Sequence, residues 1–79
     1  MNAKARFHEL RGELRVPLDE LARILRRPFG TVKAWGSDSR PDLIPPADLL
    51  AAMEAELVGR AIDRIRAAGF DVIPRRKAA

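Results

Sequence analysis

Residues 16–36 read Val16-Pro17-Leu18-Asp19-Glu20-Leu21-Ala22-Arg23-Ile24-Leu25-Arg26-Arg27-Pro28-Phe29-Gly30-Thr31-Val32-Lys33-Ala34-Trp35-Gly36. Two prolines divide the stretch. Pro17 suits the start of a helix, where no amide donor is needed. Asp19 and Glu20 fall in that helix's first turn and complement its dipole. Leu18, Leu21, Ala22 and Leu25 form its apolar stripe. Pro28 disfavours helical geometry at Arg27, so the helix stops near Arg26. A second helix then runs from Phe29 to about Gly36, with Val32 and Trp35 turned inward. A helix of this length does not persist alone in water and must pack on neighbours. The spacing therefore predicts helix, tight turn, helix.

Toward the N-terminus, Ala3, Phe7, Leu10 and Leu14 share one face of a helix from about Asn2 to Arg15. Gly12 weakens that helix by roughly 1 kcal/mol relative to alanine. Toward the C-terminus, Gly36-Ser37-Asp38 is stop-and-turn chemistry. Residues 37–46 form a loop with extended steps at Arg40-Pro41 and Ile44-Pro45. Leu43 and Ile44 are expected to plug the core. A fourth helix begins at Pro46 or Ala47 and reaches about Ala68. Leu50, Met53, Leu57, Ala61 and Ile65 recur along it at three- and four-residue spacings, and Leu49, Val58 and Ile62 widen the stripe. Gly69 fits a left-handed cap, with Phe70 as the apolar residue after it. Phe70, Val72 and Ile73 alternate with Asp71 only once, which is little support for a strand. Pro74 to Ala79 reads as a basic, mobile tail.

The chain has 79 residues, which allows one domain. A chain of this size buries only about 60–65% of its unfolded surface and is marginal as a monomer. It has no cysteine, so disulfides and thiolate zinc sites are excluded. That suits a cytoplasmic protein. With 47% hydrophobic residues the composition is foldable rather than disordered. No apolar run approaches the roughly 20 residues of a membrane span, and the first residues lack a secretory apolar region. His8 is the only histidine, so a metal centre or a histidine triad has almost no material. The adjacent carboxylates Asp19/Glu20 and Glu54/Glu56 read as dipole complement and solvated face. No catalytic residue, cofactor or metal is expected, and the chain does not read as an enzyme.

Charge is unevenly spread. Residues 1–40 carry nine basic and five acidic side chains, and residues 41–79 carry six of each. Within the second half, 41–71 is acidic and the end is basic. A basic front and a basic tail bracket an acidic segment. Solubility alone would account for this, and so would a surface that faces a polyanion.

Val16 to Leu25, followed by Thr31-Val32-Lys33-Ala34-Trp35, resembles the Cro-like, xenobiotic-response-element class of phage-repressor helix-turn-helix domains. The resemblance covers about residues 5–57. Leu21, Ala22, Leu25, Val32 and Trp35 are in register together, with Ala22 small where the two helices cross. It implies an all-α fold, a compact helix-turn-helix bundle of four to five helices with a C-terminal dimerisation segment. Residues 1–57 would be the DNA-binding core, 58–73 the helix end and dimerisation segment, and 74–79 the basic tail.

In such domains the N-terminal half of the second helix enters the major groove. The resemblance therefore implies base contacts from Phe29, Gly30, Lys33 and Ala34. Phe29 would meet a thymine methyl, and Lys33 guanine acceptors or a phosphate. The plainer alternatives are Phe29 packed on the preceding helix and Lys33 simply solvated. Arg23, Arg26, Arg27 and Arg40 would clamp the phosphate backbone. Thr31 would join them, near free amides at the helix start. Three positions depart from the pattern. Arg26 stands where the turn usually begins with glycine, Pro28 replaces a Ser/Thr cap, and Phe29 replaces a polar residue. A left-handed Arg26 would cost of order 1 kcal/mol.

What the resemblance implies for function is sequence-specific binding of double-stranded DNA, as a dimeric repressor (autorepressor) on an inverted-repeat operator. Val58, Ile62, Ile65, Phe70, Val72 and Ile73 have no obvious partner within the chain and are expected to form the homodimer interface. The alternative is that they fold back onto the first helix. The Trp35-Gly36-Ser37-Asp38 turn and the Arg40 and Ile44-Pro45 stretch also resemble phage-borne anti-CRISPR-associated regulators. Those repress the operon that encodes them, as dimers on inverted repeats. A reading from another class is an antitoxin that masks its partner through residues 58–79. An excisionase-like architectural binder would want a β-wing, against which the Pro-rich stretch 41–46 argues.

Overall fold

The computed structural model describes residues 2–73 and 75. Its elements are α1 (Ala3–Leu14), α2 (Leu18–Leu25), α3 (Phe29–Trp35) and α4 (Ala47–Ala67), with no strand among the described residues. The fold is all-α.

Local chemistry sets the helix limits. Asn2 caps α1, its side-chain oxygen accepting the Ala5 N–H at 2.7 Å and satisfying a donor that lacks an intrahelical partner. α1 ends at Arg15 in the left-handed region, φ 56°. Pro17 precedes α2, and α2 ends at Arg26, also left-handed with φ 55°. The Arg27 N–H donates to the Ala22 carbonyl at 3.1 Å, which folds the turn back on the helix end. Arg26 thus adopts the conformation that glycine occupies more readily. Pro28 leads into α3, and its carbonyl accepts the Val32 N–H at 3.2 Å.

The inward faces form one core. Phe7, Leu10 and Leu14 of α1 meet Val16, then Leu21, Ala22 and Leu25 of α2. Val32 and Trp35 of α3 and Leu49 and Met53 of α4 complete it. No polar or charged residue is buried among the described residues, so no desolvation cost opposes burial. A side chain such as Leu10 or Met53 contributes about 1.5–3 kcal/mol by leaving water. Gly36 gives Phe7 its room. A Cβ at position 36 would lie 3.2 Å from the Phe7 ring.

One expectation about the core is corrected. Leu43 packs against it, but Ile44 is 58% exposed and Pro45 takes the buried place. Side chains along extended backbone alternate in direction, so Leu43 and Pro45 turn in while Ile44 and Pro46 turn out. In α4, Leu49 and Met53 are buried and Leu50 and Leu57 pack on the core, whereas Ala61 and Ile65 are exposed. The front half of the helix closes the core and the back half does not, because its partners end. α4 packs on α1 and α2, which are 12 and 8 residues long. At 21 residues, α4 spans about 31 Å and outruns both. The radius of gyration, 14.7 Å, exceeds the roughly 12 Å of a globule of this chain length.

α4 ends at Ala68, followed by Gly69 at φ 96°, a backbone conformation that suits glycine. The Gly69 N–H donates to Arg66 at 2.9 Å and the Phe70 N–H to Ile65 at 3.2 Å. This paired closure satisfies two carbonyls of the helix end. Residues 70–73 form no strand. The expected basic tail, Pro74 to Ala79, lies outside the described residues except for Arg75.

Candidate nucleic-acid interface

α3 is held from behind by packing and by one cation. Val32 and Trp35 sink into the core. Lys4, on α1, donates its Nζ to the carbonyl oxygens of Ala34 at 3.1 Å, Trp35 at 3.0 Å and Ser37 at 3.1 Å. These carbonyls cluster at the C-terminal end of α3, where the helix dipole favours a cation. Charge-assisted hydrogen bonds of this kind are stronger than neutral ones. Sequence reasoning did not single out Lys4. The available signal was its place three residues before Phe7, at the edge of the buried face of α1. From there a long stem reaches over apolar surface to a polar target.

The opposite side of α3 is open. Phe29 is 48% exposed, and Gly30, Thr31 and Lys33 are exposed as well. Ala34 is half-buried and less available than those four. The Thr31 N–H is not free, as the sequence reading supposed. It donates to the Pro28 carbonyl at 3.1 Å, so Thr31 would offer a phosphate its hydroxyl instead.

The α2–α3 turn brings the arginines together. Arg23, Arg26, Arg27 and Phe29, with Asp19 and Ala22, line one shallow depression of about 490 Å³. Arg23 faces Asp19 at 3.7 Å, which partly offsets its charge. Arg26, Arg27 and Lys33 form no ion pair with another described residue. Their uncompensated charge makes this side of the molecule attractive to an anion. Arg40 is not in the depression. It sits in the loop after α3 and pairs loosely with Asp42 at 3.8 Å.

The other expected surface is apolar. Val58, Ile65, Phe70 and Ile73 are exposed, while Ile62 and Val72 are half-buried. The four exposed residues are not folded back onto α1. α1 is tied instead to the front half of α4, where Arg6 faces Glu54 at 3.5 Å.

No helix among the described residues is long and apolar enough to cross a membrane. Comparison with known protein families, with curated proteins and with solved structures gives no match.

Proposed function

We propose that the chain is a sequence-specific DNA-binding regulator that acts as a homodimer on an inverted repeat. The observation that carries this reading is the two-sidedness of α3. One side is anchored by Val32, Trp35 and the Lys4 bonds, and the other is open and bordered by unpaired Arg26, Arg27 and Lys33. A rigid, basic, solvent-facing helix of this kind can lie in a major groove while flanking arginines hold phosphates. Phe29, Gly30 and Lys33 are the base-facing residues on this reading. Arg23, Arg26, Arg27, Thr31 and Arg40 face the backbone, with Ala34 at the margin. One seven-residue helix covers too little DNA for tight recognition, which calls for a second copy. Repression of a promoter, including that of its own operon as in phage-borne anti-CRISPR-associated regulators, is the physiological form the reading takes. It places the protein at the bacterial nucleoid.

The test is selection from a randomised duplex DNA pool at physiological salt. Enrichment of an inverted repeat with half-sites about 34–36 Å apart supports the reading. If nothing enriches and retention vanishes with modest salt, binding is non-specific electrostatics. The exposed segment from Val58 to Ile73 would then point to a protein partner, as in an antitoxin.

A further inference from the structure

α4 carries two apolar faces. Leu49, Leu50, Met53 and Leu57 face the core. Ala51, Ala55, Val58, Ile62 and Ile65 form the second face, at successive spacings of four, three, four and three residues. That average of about 3.5 is the spacing of a coiled-coil seam. Met53 and Ile62 stand nine residues apart, about 180° out of phase on a helix. The chain's own core therefore cannot use both faces. Four of the five seam residues are exposed and Ile62 is half-buried. No charged residue interrupts the five positions, as would be usual on a solvated face.

Two features of this face specify its occupant. The first is a size gradient, with alanines at the N-terminal end and Val58, Ile62 and Ile65 at the C-terminal end. Two copies in parallel would set alanine on alanine at one end and isoleucine on isoleucine at the other, so the helices would splay. Two antiparallel copies set small against large from Ala51 to Ile62, as close packing requires, with Ile65 at the level of Asp48 at each end. The second feature is charge. Asp48 and Arg66 are 18 residues apart, five turns, and flank the seam on the same side. Antiparallel pairing brings Asp48 of one copy beside Arg66 of the other, while parallel pairing leaves the two five turns apart along the axis.

We infer that α4 pairs with α4 of a second copy in antiparallel orientation, with the two-fold axis between Glu56 and Leu57. Ala51 then packs opposite Ile62 of the second copy, and Ala55 opposite Val58. The contact is isologous and closes as a dimer. It rests on the dimeric part of the reading above and not on DNA binding. It also extends the interface to Ala51 and Ala55, toward the core of each subunit.

The absence of cysteine makes the geometry directly readable. Ala51→Cys and Ile62→Cys are made as single variants of the full chain, one with a size tag, then mixed and oxidised. The expected product is a mixed disulfide between the two variants, with little disulfide in either variant alone. In the antiparallel pair, the two thiols at position 51 lie about 16 Å apart along the axis, beyond the roughly 7 Å Cα separation that a disulfide spans. A self-disulfide of the Ala51→Cys variant would mean parallel pairing and overturns the inference. Sedimentation of the unsubstituted chain separates the remaining outcomes. A mass of twice 8.8 kDa with no disulfide in any mixture overturns the seam and leaves the dimer. A monomer at tens of micromolar overturns both. DNA selection is read independently of each result.

Discussion

Lys4 and Trp35 are 31 residues apart in sequence, yet the Lys4 Nζ lies 3.0 Å from the Trp35 carbonyl oxygen. The same ammonium reaches the carbonyls of Ala34 and Ser37, so all three of its donors are engaged. The contact couples α1 to the C-terminal end of α3, beside the buried Trp35. The proposed groove-reading helix is thereby held at both its packed face and its C-terminal end.

Replacing Lys4 with methionine keeps the apolar stem and removes the cation. The expected loss is about 1–2 kcal/mol, from charge-assisted bonds and the dipole together. For a domain of this size each kcal/mol lowers the thermal midpoint by about 4–8 °C. Thermal unfolding followed by circular dichroism measures it. An unchanged midpoint would show that the three carbonyls are equally well served by water.

Among the described residues, Arg15 and Arg26 are the non-glycine residues with positive φ. Glycine at either position relieves left-handed strain and is expected to raise stability by up to about 1 kcal/mol, net of its greater freedom when unfolded. The two variants should diverge on DNA. Arg26→Gly removes a proposed phosphate contact and weakens binding, whereas Arg15→Gly leaves binding unchanged. Chemical denaturation and fluorescence anisotropy on one duplex separate the two effects. Equal affinities would argue against a role for Arg26 at the phosphates.

Charge reversal tests the exposed side of α3. Lys33→Glu, and separately Arg26→Glu with Arg27→Glu, are expected to abolish duplex binding at physiological salt without changing helix content or oligomeric state. For the unsubstituted dimer, neutralising about six phosphates gives a slope near −5 for log K against log salt. If both variants still bind with that slope, the DNA lies elsewhere.

Ile62→Asp with Ile65→Asp places two carboxylates in the outward face of α4, clear of the Leu49 and Met53 contacts. The expected result is a folded monomer with weaker DNA affinity, because a half-site contact alone remains. Sedimentation velocity checks the mass and circular dichroism the fold. A dimer that survives the double change would move the interface off this face.

What could be read from sequence was mostly local. Pro17, Pro28, Pro46 and Gly69 set helix limits through sterics that act within a few residues. Phe7, Leu10, Leu21, Leu25, Val32 and Trp35 were identifiable as core because helical periodicity alone places them on one face. The arginine-rich α2–α3 turn was legible directly, whereas the outward placing of Phe29, Gly30 and Lys33 came from the helix-turn-helix resemblance, with packing of Phe29 on the preceding helix as the alternative.

The tertiary arrangement decided the rest. The Lys4 bonds depend on where α1 lies against α3, a relation that no local pattern encodes. Ile44 turns outward because the loop enters α4 through Pro45, and the direction of that entry is set by packing of Leu43. On α4 the apolar residues recur at three and four whichever face they serve, so periodicity alone merges two faces into one stripe. That Val58, Ile62 and Ile65 outrun the core was legible from the length of the fourth helix, and the lengths of α1 and α2 fix where the core ends. Periodicity is a property of one helix, whereas burial depends on what stands opposite it.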